Sequence, residues 1–352
     1  MVNSIYKNLK YKGMKKFLFI GIDFSKSKFD VSILENIEQK SFLQETFENS
    51  ETGYKSFLRW VSKQSKIKRC DWLFCGEHTG IYSRNLSNFL AGKGLFIWLE
   101  NPLQIKRSSG IKRAKTDRYD SIVIAQYACR YIDRAVAYKP AESQIESLQL
   151  LVAYRTRLVK SKVSIEVGAN EMRSVIKRDA TARLIYEKSQ VEVKRIKKQI
   201  NDIERKMHET IINSVLKENY LLINSIKGVG MQTAVMLIIH TNNFLGFQTA
   251  RQIASYCGSA PFPDESGKTD KGNHISRLAN KELKVLLSQC AHSAILHNSE
   301  IAAYAQRKMN EGKPKRVVVN NVRNKLIQII FAIVKSKIPY RENYLNPFAE
   351  CA

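Results

Sequence analysis

Acid is scarce in this chain beside base. Its 352 residues hold 32 Asp+Glu against 58 Lys+Arg, a formal net charge of +26. The basic surplus runs along the whole chain and is not gathered in a tail. It points to a polyanionic partner, nucleic acid first. Cysteine is sparse too: Cys70, Cys75, Cys129, Cys257, Cys290 and Cys351 stand apart, with no Cys-x-x-Cys pair, and the six histidines add no zinc spacing. That suggests neither a zinc site nor a disulfide framework, and fits reduced thiols in a cytoplasm. Long apolar runs are missing. The longest, Leu326 to Val334, is too short to span a bilayer, and Phe17 to Ile22 is too short for a secretory signal, so no membrane partner is expected. Between 141 and 219 there is no proline and one glycine, Gly168.

What is present is ordinary globular material, 44% hydrophobic and 9% aromatic, long enough for two or three domains. Residues 1–15 read as a basic extension, with Met14 as an alternative start. From 16 to 140 short apolar runs alternate with helical spacing. Phe17–Asp23, Lys28–Leu34, Phe42–Phe47, Asp71–Glu77 and Leu95–Leu99 read as strands. Thr52–Gln64 and Ile81–Leu90 read as helices, and a third helix begins near Thr116. The order βββαβαβα implies a mixed sheet covered by helices.

The few acids fall at telling places. Asp23 ends the first strand, Glu77 ends a later one, and Asp117 and Asp120 open the last helix at i and i+3, on one helical face. Four carboxylates in that order make the ribonuclease-H-like arrangement, in which hard oxygens hold two Mg²⁺ ions for phosphodiester cleavage. The bland alternative for Asp117 and Asp120 is a pair of acids favoured by the helix dipole. Around them lie Lys106, Arg107, Lys112, Arg113, Lys115 and Arg118, candidates for nucleic-acid contact.

Residues 141–219 read as two long helices forming a hairpin or coiled coil, with apolar positions such as Leu148, Leu151, Val152, Ile185, Val191, Val193, Ile196, Ile200 and Met207. The basic face at Lys194, Arg195, Lys197 and Lys198 is either a DNA contact or a solvated surface. From 220 to 340 a mainly α unit follows. Gly228-Val229-Gly230 before an apolar helix resembles a helix-hairpin-helix element, whose backbone N–H groups can meet a phosphate. Residues 258–267 read as a Gly- and Pro-rich loop. Ser266 in that loop precedes Lys268, Lys271 and Arg277, and could attack a phosphate that these cations stabilise, though turn serines are common. Lys313, Lys315 and Arg316 precede the apolar helix at 326–334, and 341–352 reads as a tail.

These residues together carry a resemblance. Gly21-Ile22-Asp23 with Ser25-Lys26, Asp30-Val31, Glu77 with Thr79-Gly80 and Tyr82, Asn101-Pro102, and Lys115-Thr116-Asp117 with Asp120-Ser121 come first. Gly228-Val229-Gly230, Tyr256-Cys257-Gly258, Ala260-Pro261 and Ser266-Gly267 follow. In order and spacing the chain resembles the DEDD transposases of bacterial insertion sequences of the "one-ten" family, relatives of the Piv-type DNA invertases. The likeness runs from about Lys16 to Val334. It implies a RuvC-like N-terminal domain whose Asp23, Glu77, Asp117 and Asp120 bind Mg²⁺, with Mn²⁺ as the alternative. It implies a C-terminal transposase domain whose Ser266 forms a 5′-phosphoserine link. Implied partners are donor and target DNA, an element-encoded bridge RNA as guide, and further copies of the chain, dimers assembling to a tetramer that pairs the acids of one subunit with the serine of another. Lys227-Gly228 replaces the family's Pro-Gly, and Gly258-Ser259 its Gly-Leu, which leaves Ser259 as a second nucleophile candidate. The competing readings are a metal-dependent RuvC-like nuclease or junction resolvase without serine chemistry, and a non-catalytic nucleic-acid-binding protein.

Overall fold

Strand-forming runs near the N-terminus build one five-stranded sheet from β1 (Leu18–Phe24), β2 (Lys28–Leu34), β3 (Leu43–Glu48), β4 (Trp72–Glu77) and β5 (Phe96–Glu100). The computed structural model describes residues 16–39, 41–109, 117–174, 176–266, 269–275 and 278–342; of 117–118, 263–266 and 269–275 it describes the backbone alone. The chain divides into two compact units, 1–140 and 141–352.

In the first unit the strand order is β3-β2-β1-β4-β5, with β1 in the centre. β1 pairs antiparallel with β2 and parallel with β4, and β4 pairs parallel with β5. One face is covered by α1 (Glu51–Gln64) and α2 (Ile81–Gly92), which bury Phe57, Leu58, Val61, Leu86 and Leu90 against Ile20, Ile22, Phe29 and Phe74. Ser50 starts α1 by accepting a hydrogen bond from the Gly53 N–H. Phe57 meets Phe29 and Phe74 edge-on, with ring centroids 5.3 and 5.7 Å apart. Each fully buried ring contributes about 1.5–3 kcal/mol.

The other face carries α3 (Pro102–Ser108) and α4 (Asp117–Arg130). α4 lies directly on the central strand. A β-carbon on Gly21 would sit 2.2 Å from the Ser121 carbonyl oxygen and 2.4 Å from the Ala125 nitrogen, so glycine is required at this point of β1. Beside it, the buried hydroxyls of Ser32 and Ser121 share a 2.6 Å hydrogen bond.

The second unit opens with α5 (Ser143–Met172) and α6 (Ala180–Ile212), an antiparallel hairpin. Arg155–Glu204 at 2.7 Å and Lys197–Glu166 at 3.2 Å bridge the two helices. Asp179 caps α6 by accepting from the N–H groups of Thr181 and Ala182. Val193, Ile196, Ile200, Met207 and Ile211 are buried, whereas Ile185 and Val191 face outward, so the apolar spacing extends beyond the packed seam. Of the basic face expected on α6, Arg195 is paired with Glu192 and Lys197 with Glu166.

The core of this unit is formed with α7 (Lys217–Asn224), α8 (Met231–Thr241), α9 (Ala250–Tyr256), α10 (Lys281–His297), α11 (Ser299–Asn310) and α12 (Lys315–Ser336). The glycine turn between α7 and α8 has Gly228 at φ 99°, where a β-carbon would sit 2.6 Å from the Ala294 Cα.

Two expectations are corrected. Residues 261–266 are not a loop. β6 (Pro261–Ser266) pairs antiparallel with β7 (Thr269–Ile275), with a bulge between Pro263 and Glu265. Each strand of a two-stranded sheet is an edge, and an edge tolerates proline because one row of its backbone groups needs no partner. Lys315 and Arg316 do not precede the last helix; they form its first turn. At 22 residues α12 is long and apolar enough to cross a membrane by length and composition, yet Val318, Val322, Leu326, Ile327 and Ile330 are buried in the core.

Replacing Gly21 by alanine should push α4 off the sheet. Overpacking of this kind costs about 1–3 kcal/mol. Thermal or denaturant unfolding of Gly21→Ala measures it, and a wild-type midpoint would show that the helix shifts freely.

Candidate active site

Strand alternation decides which side chains share the α4 face. Gly21 and Ser32 lie against α4, so Asp23 and Asp30, two residues on or back along their strands, face the same side. Asp23 and Asp30 are paired across β1 and β2. The β1–β4 register runs to Ile22 opposite Gly76, so Asp23 and Glu77 follow as the next step. Glu77 is paired with Glu100 across β4 and β5. The result is a row of carboxylates, Asp30, Asp23, Glu77 and Glu100, along one edge of the sheet. The stretch Ser121–Ala125 lies over Gly21 and Cys129 lies against the backbone of Ile37, past the opposite end of β2, so the start of α4, with Asp117 and Asp120, stands towards the carboxylate edge.

The neighbours of the row are specific. Asp30, 5% exposed, accepts a hydrogen bond from the Thr46 hydroxyl at 2.5 Å and lies 3.4 Å from the Lys28 ammonium. Glu100 accepts from the Tyr127 hydroxyl on α4 at 3.0 Å and from the Asn101 N–H at 2.6 Å. Burial pushes the Cys75 thiol well above its usual range, and the nearby charges of Glu100 and Glu77 add to the effect. Burial and the bond to Glu100 raise the Tyr127 phenol likewise. Both groups stay protonated at neutral pH. Thr79, two residues past Glu77, has a buried hydroxyl oxygen with no hydrogen-bond partner.

Asp23, Glu77 and Asp120 are half-buried. Among the described residues no three His, Cys, Asp or Glu side chains gather closely enough to hold an ion; the Asp117 side chain lies outside that set. The donors nonetheless fit a hard divalent cation in kind. They are all oxygens, they share one edge, and the unpartnered Thr79 oxygen lies beside Glu77 in sequence. Sequence reasoning passed over Asp30 and Glu100 as site residues. Their signal was the polar alternation of β2, Asp30 and Ser32 between Phe29, Val31 and Ile33, and an acid at the end of a third strand.

In the second unit Ser266 is the last residue of β6 and pairs with Thr269 at the end of the hairpin remote from the core. The root of that hairpin is tied down. The Asn280 N–H donates to the Tyr256 carbonyl at 2.8 Å, and His240 Nδ1 lies 3.0 Å from the Tyr256 hydroxyl. Ser259 is fully buried, with its hydroxyl unpartnered. Of the predicted cations, Lys106, Arg107, Lys313, Lys315 and Arg316 are exposed. Lys112, Arg113, Lys115, Lys268 and Arg277 lie outside the described residues, as do the side chains of Arg118 and Lys271.

Burial holds the His240 imidazole below its usual range, against a smaller opposing pull from Glu282. The neutral ring is therefore the form the fold favours. Its contribution is present above about pH 6.5 and is lost as pH falls through the lower folded value. Melting temperature should drop on acidification from about pH 7 to 5, and His240→Gln should flatten part of that drop. An unchanged profile in the variant would remove His240 from the hairpin root.

Comparison with known proteins adds two family models and two relatives. A family model described as "Transposase", of the DEDD type named for IS110, matches residues 20–178, and one described as "Transposase IS116/IS110/IS902 family" matches residues 220–306. The chain is similar to a pilin gene-inverting protein of Moraxella lacunata, 26% identical over 337 residues, covering 92% of this chain and 97% of the relative. It is also similar to the transposase for insertion sequence element IS1111A of Coxiella burnetii, 25% identical over 322 residues, covering 84% of this chain and 82% of that protein.

Proposed function

Because the chain belongs to the IS110 family of transposases, we propose that it is a recombinase that cuts and rejoins DNA through a covalent bond to Ser266, served by the acids Asp23, Glu77, Asp117 and Asp120. It is an enzyme acting on DNA. The observation that carries the proposal is the shared sheet edge of Asp23, Glu77 and the start of α4.

In this reading the Ser266 hydroxyl oxygen attacks a DNA phosphorus and the 3′ oxygen leaves. The serine proton is lost, the departing 3′ oxygen gains one, and the strand is left with a 5′-phosphoserine link and a 3′-hydroxyl. Attack by a 3′-hydroxyl of another strand reverses the step and frees the serine. The ester energy is conserved, so rejoining needs no nucleotide cofactor. Mg²⁺ or Mn²⁺ held by the four carboxylates would stabilise the charge that develops on the phosphoryl oxygens. Asp30 and Glu100 are the two ends of the row and are held by Thr46 and Tyr127, which fixes the strand ends that present Asp23 and Glu77. The fully buried Ser259 would have to leave its site to reach a phosphate, which favours Ser266 as the nucleophile.

The reading extends to partners. Exposed Lys106, Arg107, Lys313, Lys315 and Arg316 suit the backbones of donor and target DNA and of a guide RNA that reads sequence by pairing. Two helices of 30 and 33 residues form a hairpin of a kind suited to a coiled-coil contact between copies, dimers assembling to a tetramer. The work is cytoplasmic.

Ser266→Ala should bind labelled donor DNA normally and form no protein-linked band on a denaturing gel, while Asp120→Asn should slow cleavage at least about a hundredfold, the scale seen when one transition-state-stabilising group is removed. Cleaved ends without any linked band in the wild type would instead establish a metal-only nuclease.

A further inference from the structure

Arg323 on α12 is the one Lys or Arg that is buried among the described residues, 7% exposed in a chain carrying 58 such residues. Its neighbours are neutral. One guanidinium nitrogen donates to the Ser288 hydroxyl of α10 at 3.2 Å and another to the Asn320 side-chain oxygen at 2.5 Å, while Nε has no partner. No described carboxylate pairs with it within salt-bridge distance. A desolvated charge without a counter-ion is a cost to the fold, and apolar replacements at such places are often neutral or stabilising.

What the charge does hold is Asn320. Asn320 in turn donates from Nδ2 to the Ser259 carbonyl at 3.1 Å. Ser259 stands two residues before β6, the strand that ends in Ser266. The same Ser259 is set by its N–H bond to the Ala254 carbonyl at 2.8 Å, next to Gly258 at φ 65°. The chain of contacts therefore runs from the α10–α12 core through Arg323 and Asn320 to the root of the hairpin.

We propose that Arg323 is a positioning residue for the Ser266 hairpin: its fixed fork orients Asn320, whose bond to the Ser259 carbonyl sets the direction in which β6 leaves the core. This rests on Ser266 being the nucleophile. In this role Arg323 acts through Asn320 and not by contact with the reacting atoms. Its planar guanidinium spans two partners on two helices, which a lysine ammonium cannot do in the same geometry.

The test uses the full chain with Mg²⁺, labelled DNA from the element's end and the transcript that flanks it, and measures the rate of protein–DNA adduct formation against DNA concentration, beside thermal melting. Arg323→Met should melt at or above the wild-type temperature, half-saturate at the same DNA concentration within twofold, and form adduct at least tenfold more slowly. Asn320→Asp gives Arg323 a counter-ion but removes the donor to Ser259, so it should fold stably and show the same loss of rate. It keeps the test decisive should Arg323→Met not fold. Arg323→Lys should fall between. A wild-type rate in either stable variant overturns the inference, as does a rate loss that only follows a lowered melting temperature. A wild type that forms no adduct overturns the serine reading itself, which separates that failure from this one.

Discussion

The N-terminal unit depends on a helix laid against a strand where a side chain is missing. Gly21 lets the backbone of α4 approach β1 so closely that any β-carbon would overlap Ser121 or Ala125. From that contact the rest follows. The helix axis is fixed over the central strand, and its first turn stands towards the edge where the carboxylates of four strands lie in a row. The Ser32–Ser121 hydroxyl pair and the Tyr127–Glu100 bond hold the same helix on the flanking strands β2 and β5. The common placement of these carboxylates is thus a consequence of backbone packing.

The charge balance works the other way. With a net charge of +26 the folded chain repels itself, and the ion pairs that offset this are mostly exposed contacts between neighbouring turns, such as Arg183–Glu187 and Arg205–Asp202. Such pairs contribute roughly 0–1 kcal/mol. Stability must come from the apolar clusters, among them the aromatic set of Phe29, Phe57 and Phe74 and the helical core around α12. The exposed cations at Lys315 and Arg316 sit at a helix N-terminus, against its dipole. That placement suits an anionic partner better than it suits the isolated fold.

Much of this was legible in the sequence where one local rule dominated. The strands were readable from short apolar runs and from alternation, two of them ending in acids, and the long helices because proline and glycine are nearly absent from 141 to 219. The carboxylates at the strand ends and helix start were visible as Asp23, Glu77, Asp117 and Asp120. Other features depended on pairing that no local pattern reveals. Pro261 and Pro263 read as loop because proline's penalty applies to inner strands, whereas these lie in an edge strand. Asp30 joined the row only through its register with Asp23, and Glu100 through its register with Glu77. Nothing in the local pattern sets Arg323 apart from the other bases of the chain; its burial follows from the packing of α12 on α10.

The proposed chemistry turns on whether DNA becomes bonded to Ser266. The direct measurement is to trap the protein–DNA adduct, trim it with nuclease, digest it with protease and fragment the peptides in a mass spectrometer. The expected product is a peptide with a nucleotide phosphate on Ser266. Unmodified peptide beside DNA ends that carry a simple 5′-phosphate, or a nucleotide on Ser259, would contradict it.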